Sequence, residues 1–328
     1  MALDRDLNVA FAHAAGPLGR GWEMMAATGV RGLRVAHESA ALSALVLSDR
    51  GSLATRVLQG NVRRFAAPPL GVVRHDAQRP LARAAFDYVD LDPYGSPAPF
   101  VGAALEALRV PGVLAVTATD MRVLAGVERG VAERRYGGVP LRGRLAPEAG
   151  LRILLAHLLR HASEADLAIE PLLAYVRDHH VRAYVRVTDS RRPARANEPD
   201  PVAVIDPATW TGPRLPPGGP YGPLWTGPLF DPVTVGALRV PTTAHDGPHL
   251  TRMIERLRGE VVADRPFFYE SNTLAREEHR DRPVSPDPLI EALRAHGWAA
   301  ARTHARDGAF RTTAPRSEVV RMMDETPR

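Results

Sequence analysis

The sequence predicts an α/β protein: a parallel sheet with crossover helices, closed at one edge by an antiparallel hairpin and followed by a smaller α+β domain. Three observations carry this. From about 20 to 120, short apolar runs alternate with Ala/Leu-rich stretches of helical period. Residues 168–188 hold two β-rich runs flanking Arg177-Asp178-His179-His180, the pattern of a hairpin. From about 233 the texture changes to helical patterns at 247–262 and 286–297 and a β-like tail at 299–314.

Taken in order, the apolar runs are Trp22–Met25, Val35, Leu45-Val46-Leu47, Val72-Val73, Tyr88-Val89 and Val113–Val116, with Ala98–Leu108 as a crossover helix. Residues 193–232 contain about a third of the 30 prolines, too many for a regular element, and read as an ordered or semi-rigid connector. The 328 residues therefore divide into a first domain over 1–229, whose end (193–229) is the Pro-rich connector, and a second over 230–328.

Composition narrows the chemistry. With no cysteine there is no thiolate nucleophile, disulfide or Cys zinc site. Carboxylates, hydroxyls, imidazoles, backbone groups or a bound cofactor must do the work. All 42 basic residues are Arg, and the formal net charge is +5. A GC-rich codon bias explains that as well as a polyanionic partner does, although Arg pairs bidentately with phosphate and stacks on bases. No apolar stretch approaches the roughly 18–20 residues of a membrane span, and the charged start is unlike a secretory signal, so a cytoplasmic protein is expected.

In open α/β sheets, ligands sit in the crevice at the carboxyl ends of the strands. Residues 26–32, Ala-Ala-Thr-Gly-Val-Arg-Gly, form a glycine-containing turn there, without the full G-x-G-x-x-G spacing. The next strand ends at Ser48-Asp49, where a dinucleotide-type fold puts an acid on ribose hydroxyls; a helix N-cap is the other reading of Asp49. Further on, Val72-Val73 leads into Arg74-His75-Asp76-Ala77, and Tyr88-Val89 into Asp90-Leu91-Asp92-Pro93-Tyr94-Gly95. Small or acidic residues at successive strand ends favour a cofactor with a nucleoside moiety.

Asp92-Pro93-Tyr94 has the form of the D/N-P-P-Y/F signature of methyltransferases that act on exocyclic base amines. Such a nitrogen is a poor nucleophile, because its lone pair is delocalised into the ring. A carboxylate and a backbone carbonyl accepting its two N–H bonds aim the lone pair and stabilise the positive charge that develops. Asp92 is the candidate acceptor, Pro93 fixes the backbone, and Tyr94 would stack on an extruded base.

Segments running nearly end to end extend the likeness: MALDRDL (1–7), ATGVRG (27–32), LSD (47–49), RHDA (74–77), DLDPYGSP (90–97), VTATDMRVLAG (116–126), RRYGGVPLRG (134–143), YGPLWTGPL (221–229) and TH…RTTAP (303–315). In these the chain resembles the tRNA (guanine-26-N2) dimethyltransferase family. The resemblance implies a class I Rossmann-like methyltransferase domain with a mixed seven-stranded sheet, a C-terminal tRNA-binding domain, S-adenosylmethionine as cofactor and tRNA as partner. It implies that Arg5 contacts the cofactor's carboxylate or the catalytic edge, that Arg31 lies beside the cofactor, that Asp49 takes its ribose, that Asp76 and Ala77 meet adenine, and that Asp92, Pro93 and Tyr94 are the catalytic group. Thr117, Thr119 and Asp120 would end a strand close by.

The chain departs from the family in starting at Met1 inside the first motif, so an incomplete N-terminus is expected, and in carrying Asp4 where Asn is usual, next to Arg5. His179-His180 have no third ligand at recognisable spacing, and no metal is expected. Arg191-Arg192-Pro193-Ala194-Arg195 reads equally as a phosphate contact or a solvated run. Two rival functions stay open: methylation of another RNA guanine or of adenine N6, and a non-catalytic RNA-binding relative.

Overall fold

The computed structural model describes residues 2–65, 68–190, 201–280 and 282–326. Helix α1 (Ala2–Ala15) leads into alternating strands and helices: β1 (Gly19–Glu23), α2 (Val30–Glu38), β2 (Leu42–Asp49), α3 (Ser52–Val62), β3 (Leu70–Arg74), β4 (Phe86–Leu91), α4 (Val101–Ala107) and β5 (Leu108–Ala118). Three helices, α5 (Met121–Leu124), α6 (Arg129–Tyr136) and α7 (Ala146–Ser163), precede the strands β6 (Leu167–Arg177) and β7 (His180–Asp189). The seven strands form one sheet in the order β3-β2-β1-β4-β5-β7-β6. β1 to β5 run parallel, and β7 is antiparallel to both β5 and β6. The expected mixed seven-stranded α/β sheet is thus present.

Central β4 is buried along almost its whole length, as a strand covered by helices on both faces must be. The hairpin turns at Asp178-His179 between the paired Arg177 and His180, and Asp178 takes the left-handed φ of 46° that a short side chain tolerates. Val35 is the one apolar run that is not a strand: it lies on the buried face of amphipathic α2.

Helix α1 has no clean periodic signal because it is enclosed on nearly every side, Asp4, Asp6 and Asn8 included. Phe11 stacks on Tyr184 of β7 with ring centroids 3.8 Å apart. Asp6 receives Arg34 of α2 at 2.6 Å and the backbone N–H groups of His245 and Asp246. Asp4 turns towards the hairpin, where His180 Nε2 lies 3.0 Å away and Arg177 4.0 Å away. Burial opposes its charge, but the His180 hydrogen bond and Arg177 hold its carboxyl well below the usual range.

The Pro-rich connector is more regular than expected. Within its described part, β8 (Val202–Ile205) pairs antiparallel with β9 (Tyr221–Trp225), although β9 contains a proline. Pro223 falls in the register irregularity, without a cross-strand partner, where its missing N–H costs no ladder bond. The Arg191–Arg195 cluster lies outside the described residues.

Beyond it come α8 (Pro232–Ala237), α9 (Gly247–Glu260), β10 (Tyr269–Glu270), α10 (Ser271–Glu277), α11 (Pro286–Ala295), β11 (Ala300–Arg302), β12 (Ala309–Thr312) and α12 (Arg316–Glu325). The main hydrophobic core extends through Leu250, Ile254 and Leu257 to Phe267 and Phe268. A second core, from Tyr269 to Met323, surrounds the three-stranded sheet β10-β12-β11.

A buried ionic lattice joins the two cores. Arg311 of β12 donates to Glu148 of α7 at 2.8 Å and to Glu260 of α9 at 2.5 Å. Arg152 donates to Glu148 at 2.8 Å, and so does the backbone N–H of Phe267. His304 donates from Nδ1 to Glu260 at 2.6 Å while its Nε2 accepts the N–H of Val176 in β6. Burial alone would raise Glu260, but His304 and Arg311 bring it down to about 2. The Thr303, His304 and Arg311 of the TH…RTTAP segment are therefore parts of this lattice. Arg311→Ala leaves two buried glutamates without their shared cation and is expected to cost about 3–5 kcal/mol in urea unfolding near neutral pH. A cost below about 1 kcal/mol would mean that the lattice contributes little.

Candidate functional site

Because β1, β2, β3, β4 and β5 are parallel, their carboxyl ends open on one edge, and the charged residues of the sequence gather there. The turn after β1 reaches α2 through Gly29, whose φ of +75° suits glycine. One helical turn on, a Cβ at Gly32 would come within 2.3 Å of Glu23 Oε2. That bare backbone lets the Glu23 carboxylate, at the end of β1, accept the Gly32 N–H at 3.1 Å. Glu23 is buried, and desolvation together with neighbouring Asp90 and Asp92 pushes its carboxyl up to about 8, against the pull of Arg31.

The two acids of β4 and its end have different surroundings. Asp90 is buried and receives Arg182 of β7 at 2.7 and 3.2 Å and the Tyr88 hydroxyl at 2.9 Å. Burial would raise it, but Arg182 and Arg31 keep it ionised. Arg182 also donates to Thr117 at 2.6 Å and lies over the Tyr184 ring at 4.6 Å. Asp92 is part-exposed and takes Arg31 NH2 at 2.6 Å, while Arg31 NH1 is 3.6 Å from Asp90. That NH1 is buried and has no hydrogen-bond partner.

The loop after Asp92 is pinned from below and open above. Gly95 N–H donates to Thr119 Oγ1 at 2.7 Å, and Thr119 N–H returns to Gly95 O at 2.9 Å. Ser96 bonds the Tyr136 hydroxyl, which donates to Asp120, and Arg135 holds the other Asp120 oxygen. Burial and Asp120 keep that phenol protonated, well above its usual range. Thr117, Thr119 and Asp120 are thus supports of the loop and of Arg182. Pro93 is buried, whereas the Tyr94 side chain stands wholly in solvent.

The expected cofactor residues are spread along the same edge. Asp49 ends β2 and accepts the Ala27 and Gly51 N–H groups at 3.2 and 2.8 Å, which ties the glycine turn to β2; the cap of α3 is Gly51, not Asp49. Asp76 is exposed and accepts from Gln78, and Ala77 beside it is buried. Arg5 on α1 is half-buried, and no ion pair holds it among the described residues. Of the expected set, Arg31 and Asp92 are in direct contact. Sequence reasoning missed Glu23 and Arg182; the signal for Glu23 was an acid inside the short run Trp22–Met25 just before the turn, and Arg182 had none.

Among the described residues no helix is long and apolar enough to cross a membrane, and no group of three His, Asp or Glu is placed to hold a metal ion.

Known proteins are similar to this chain over nearly its whole length. The family described as N2,N2-dimethylguanosine tRNA methyltransferase matches residues 1–203 and 218–324. A Thermococcus kodakarensis protein named tRNA (guanine(26)-N(2))-dimethyltransferase is 35% identical, covering 98% of this chain and 91% of its own. One of the same name from Pyrobaculum arsenaticum is 34% identical over 98% of this chain and 89% of its own. The structure of Trm1 from Pyrococcus horikoshii with S-adenosyl-L-methionine superposes with a TM-score of 0.84 at 29% identity, over 98% of this chain and 93% of that one.

The Glu23 carboxyl yields a prediction on stability. Its affinity for a proton rises on folding, from an ordinary 4.5 to about 8. Its ionisation therefore costs folded stability as pH climbs through that window, by up to about 5 kcal/mol, and costs nothing below it. Glu23→Gln keeps an acceptor for Gly32 and removes the charge. The variant is expected to gain several degrees of melting temperature over the parent at pH 9 and little at pH 5; a gap of equal size at both, or of opposite sign, contradicts the assignment.

Proposed function

Since the chain belongs to the N2,N2-dimethylguanosine tRNA methyltransferase family, we propose that it transfers methyl groups from S-adenosylmethionine to the exocyclic N2 of guanine in tRNA, at position 26. The observation that carries this reading is the Asp92 carboxylate, held by Arg31 at the end of the central strand beside a fully exposed Tyr94 on a pinned loop.

The residues present fit the cofactor. Gly32 leaves room for the Glu23 carboxyl beside the turn, and Arg31 NH1 is a buried donor without a partner. In this reading Arg31 and Arg5 hold the methionyl end, Asp49 takes the ribose hydroxyls, and Asp76 with the Ala77 backbone meets adenine. When bound, S-adenosylmethionine supplies a sulfonium methyl, an electrophile that needs no metal to activate it.

The rest falls to the chain's own groups. Asp92 accepts an N–H of the guanine amine, so that the nitrogen lone pair points at the methyl and the developing positive charge meets a fixed anion. Pro93 holds the backbone carbonyl that takes the second N–H. Tyr94 offers its ring to a base taken out of its stack, which the buried floor of the loop requires. The part from 230 to 328 grips the tRNA, and arginine supplies all of the cationic side chains for it. Such work is expected in the cytoplasm, where tRNA is used.

The names of the relatives favour guanine over adenine N6. Site-mapped methylation of a tRNA transcript is expected to find N2-methylated guanine at 26; full activity elsewhere with guanine 26 untouched rejects the position, and N6-methyladenine by nucleoside mass analysis rejects the base. Asp92→Ala is expected to lower turnover by at least about a hundredfold without loss of cofactor binding by calorimetry. Retained turnover removes Asp92 from the role given to it.

A further inference from the structure

Arg182 has so far no part in the reaction, although it is among the largest fully buried side chains and faces the catalytic edge. Its guanidinium is fixed on several sides, by both Asp90 oxygens, by Thr117 and by the Tyr184 ring, which itself stacks on Phe11 of α1. Asp90 is thereby matched. Arg31 lies between two carboxylates, 2.6 Å from Asp92 and 3.6 Å from Asp90.

We propose that Arg182 is a positioning residue for methyl transfer: by satisfying Asp90 it leaves Arg31 to hold Asp92. The inference rests on the reading of Asp92 as the group that orients the amine. Without the Arg182 charge, Asp90 is a buried anion next to a guanidinium that has an unused donor, Arg31 NH1. An unpaired buried charge is costly, so Arg31 is drawn onto it. The movement needed to bring NH1 to hydrogen-bond distance is under about 1 Å. It weakens the grip on Asp92, and a misplacement of that size at the reacting group costs about a hundredfold in rate. The two acids of the strand end thus compete for one arginine, and Arg182 decides the competition from the antiparallel strand on the far side of β5.

Steady-state kinetics on a tRNA transcript, with melting curves alongside, tests this. Arg182→Gln is expected to lower kcat about 30- to 100-fold with KM for tRNA changed by less than about threefold. Adding Asp90→Asn removes the competing charge and is expected to recover at least about tenfold of that loss. Arg182→Lys keeps the charge but loses the two-nitrogen grip on Asp90, and is expected to fall between the parent and Arg182→Gln in kcat. A purely structural role for Arg182 predicts no recovery in the double variant. Equal turnover of single and double variants, or Arg182→Lys as slow as Arg182→Gln at an unchanged melting temperature, overturns the proposal. If Arg182→Gln does not fold, the double variant alone decides: turnover within about tenfold of the parent supports the proposal, and turnover as low as that of Asp92→Ala overturns it. Failure of the underlying reading shows elsewhere, in a parent chain that leaves guanine 26 unmethylated or an Asp92→Ala variant that still turns over.

Discussion

The arrangement of the active edge depends on one buried ion pair, Asp90 with Arg182. Two charges in the middle of a sheet are tolerable only when each is fully matched, because desolvation otherwise exceeds their attraction. Here the match is nearly complete: two nitrogens of Arg182 on two oxygens of Asp90, with Tyr88 and Thr117 taking the adjoining positions. The pair spans β5, so it ties the parallel half of the sheet to the antiparallel hairpin. Fold and chemistry therefore meet in the same contact.

Around that contact the edge is organised as a graded series of acids. Asp90 is buried and charged, Glu23 is buried with its proton bound far more tightly than usual, and Asp92 stands at the border with solvent on Arg31. The gradient follows from position. An acid within a strand has the sheet around it, whereas one just past the end has a loop and an opening. The same logic explains why Pro93 is buried and Tyr94 is not: the loop turns outward at the tyrosine, and Gly95 and Ser96 return it to supports at Thr119 and Tyr136.

How far the sequence could be read follows the range of each interaction. Asp92, Pro93 and Tyr94 were legible because a strand end, a proline and an aromatic are neighbours in the chain, and their surroundings are made by that adjacency. Asp49 was legible in location but open in role; it in fact binds the glycine turn through Ala27. Arg182 was not legible, since it lies 92 residues from Asp90 and only the sheet order brings them together. Helix α1 escaped because burial on all faces removes the periodicity that announces a helix. Val35 misled because an apolar residue on a helix face and one in a short strand look alike over so few residues. The prolines of the connector suggested irregularity, yet one sits where a strand needs no donor.

The lattice of Glu148, Arg152, Arg311, Glu260 and His304 has a consequence for access to the crevice. Swinging the C-terminal part away on a hinge would strip several enclosed charges of their counterparts at once, so the lattice opposes such an opening.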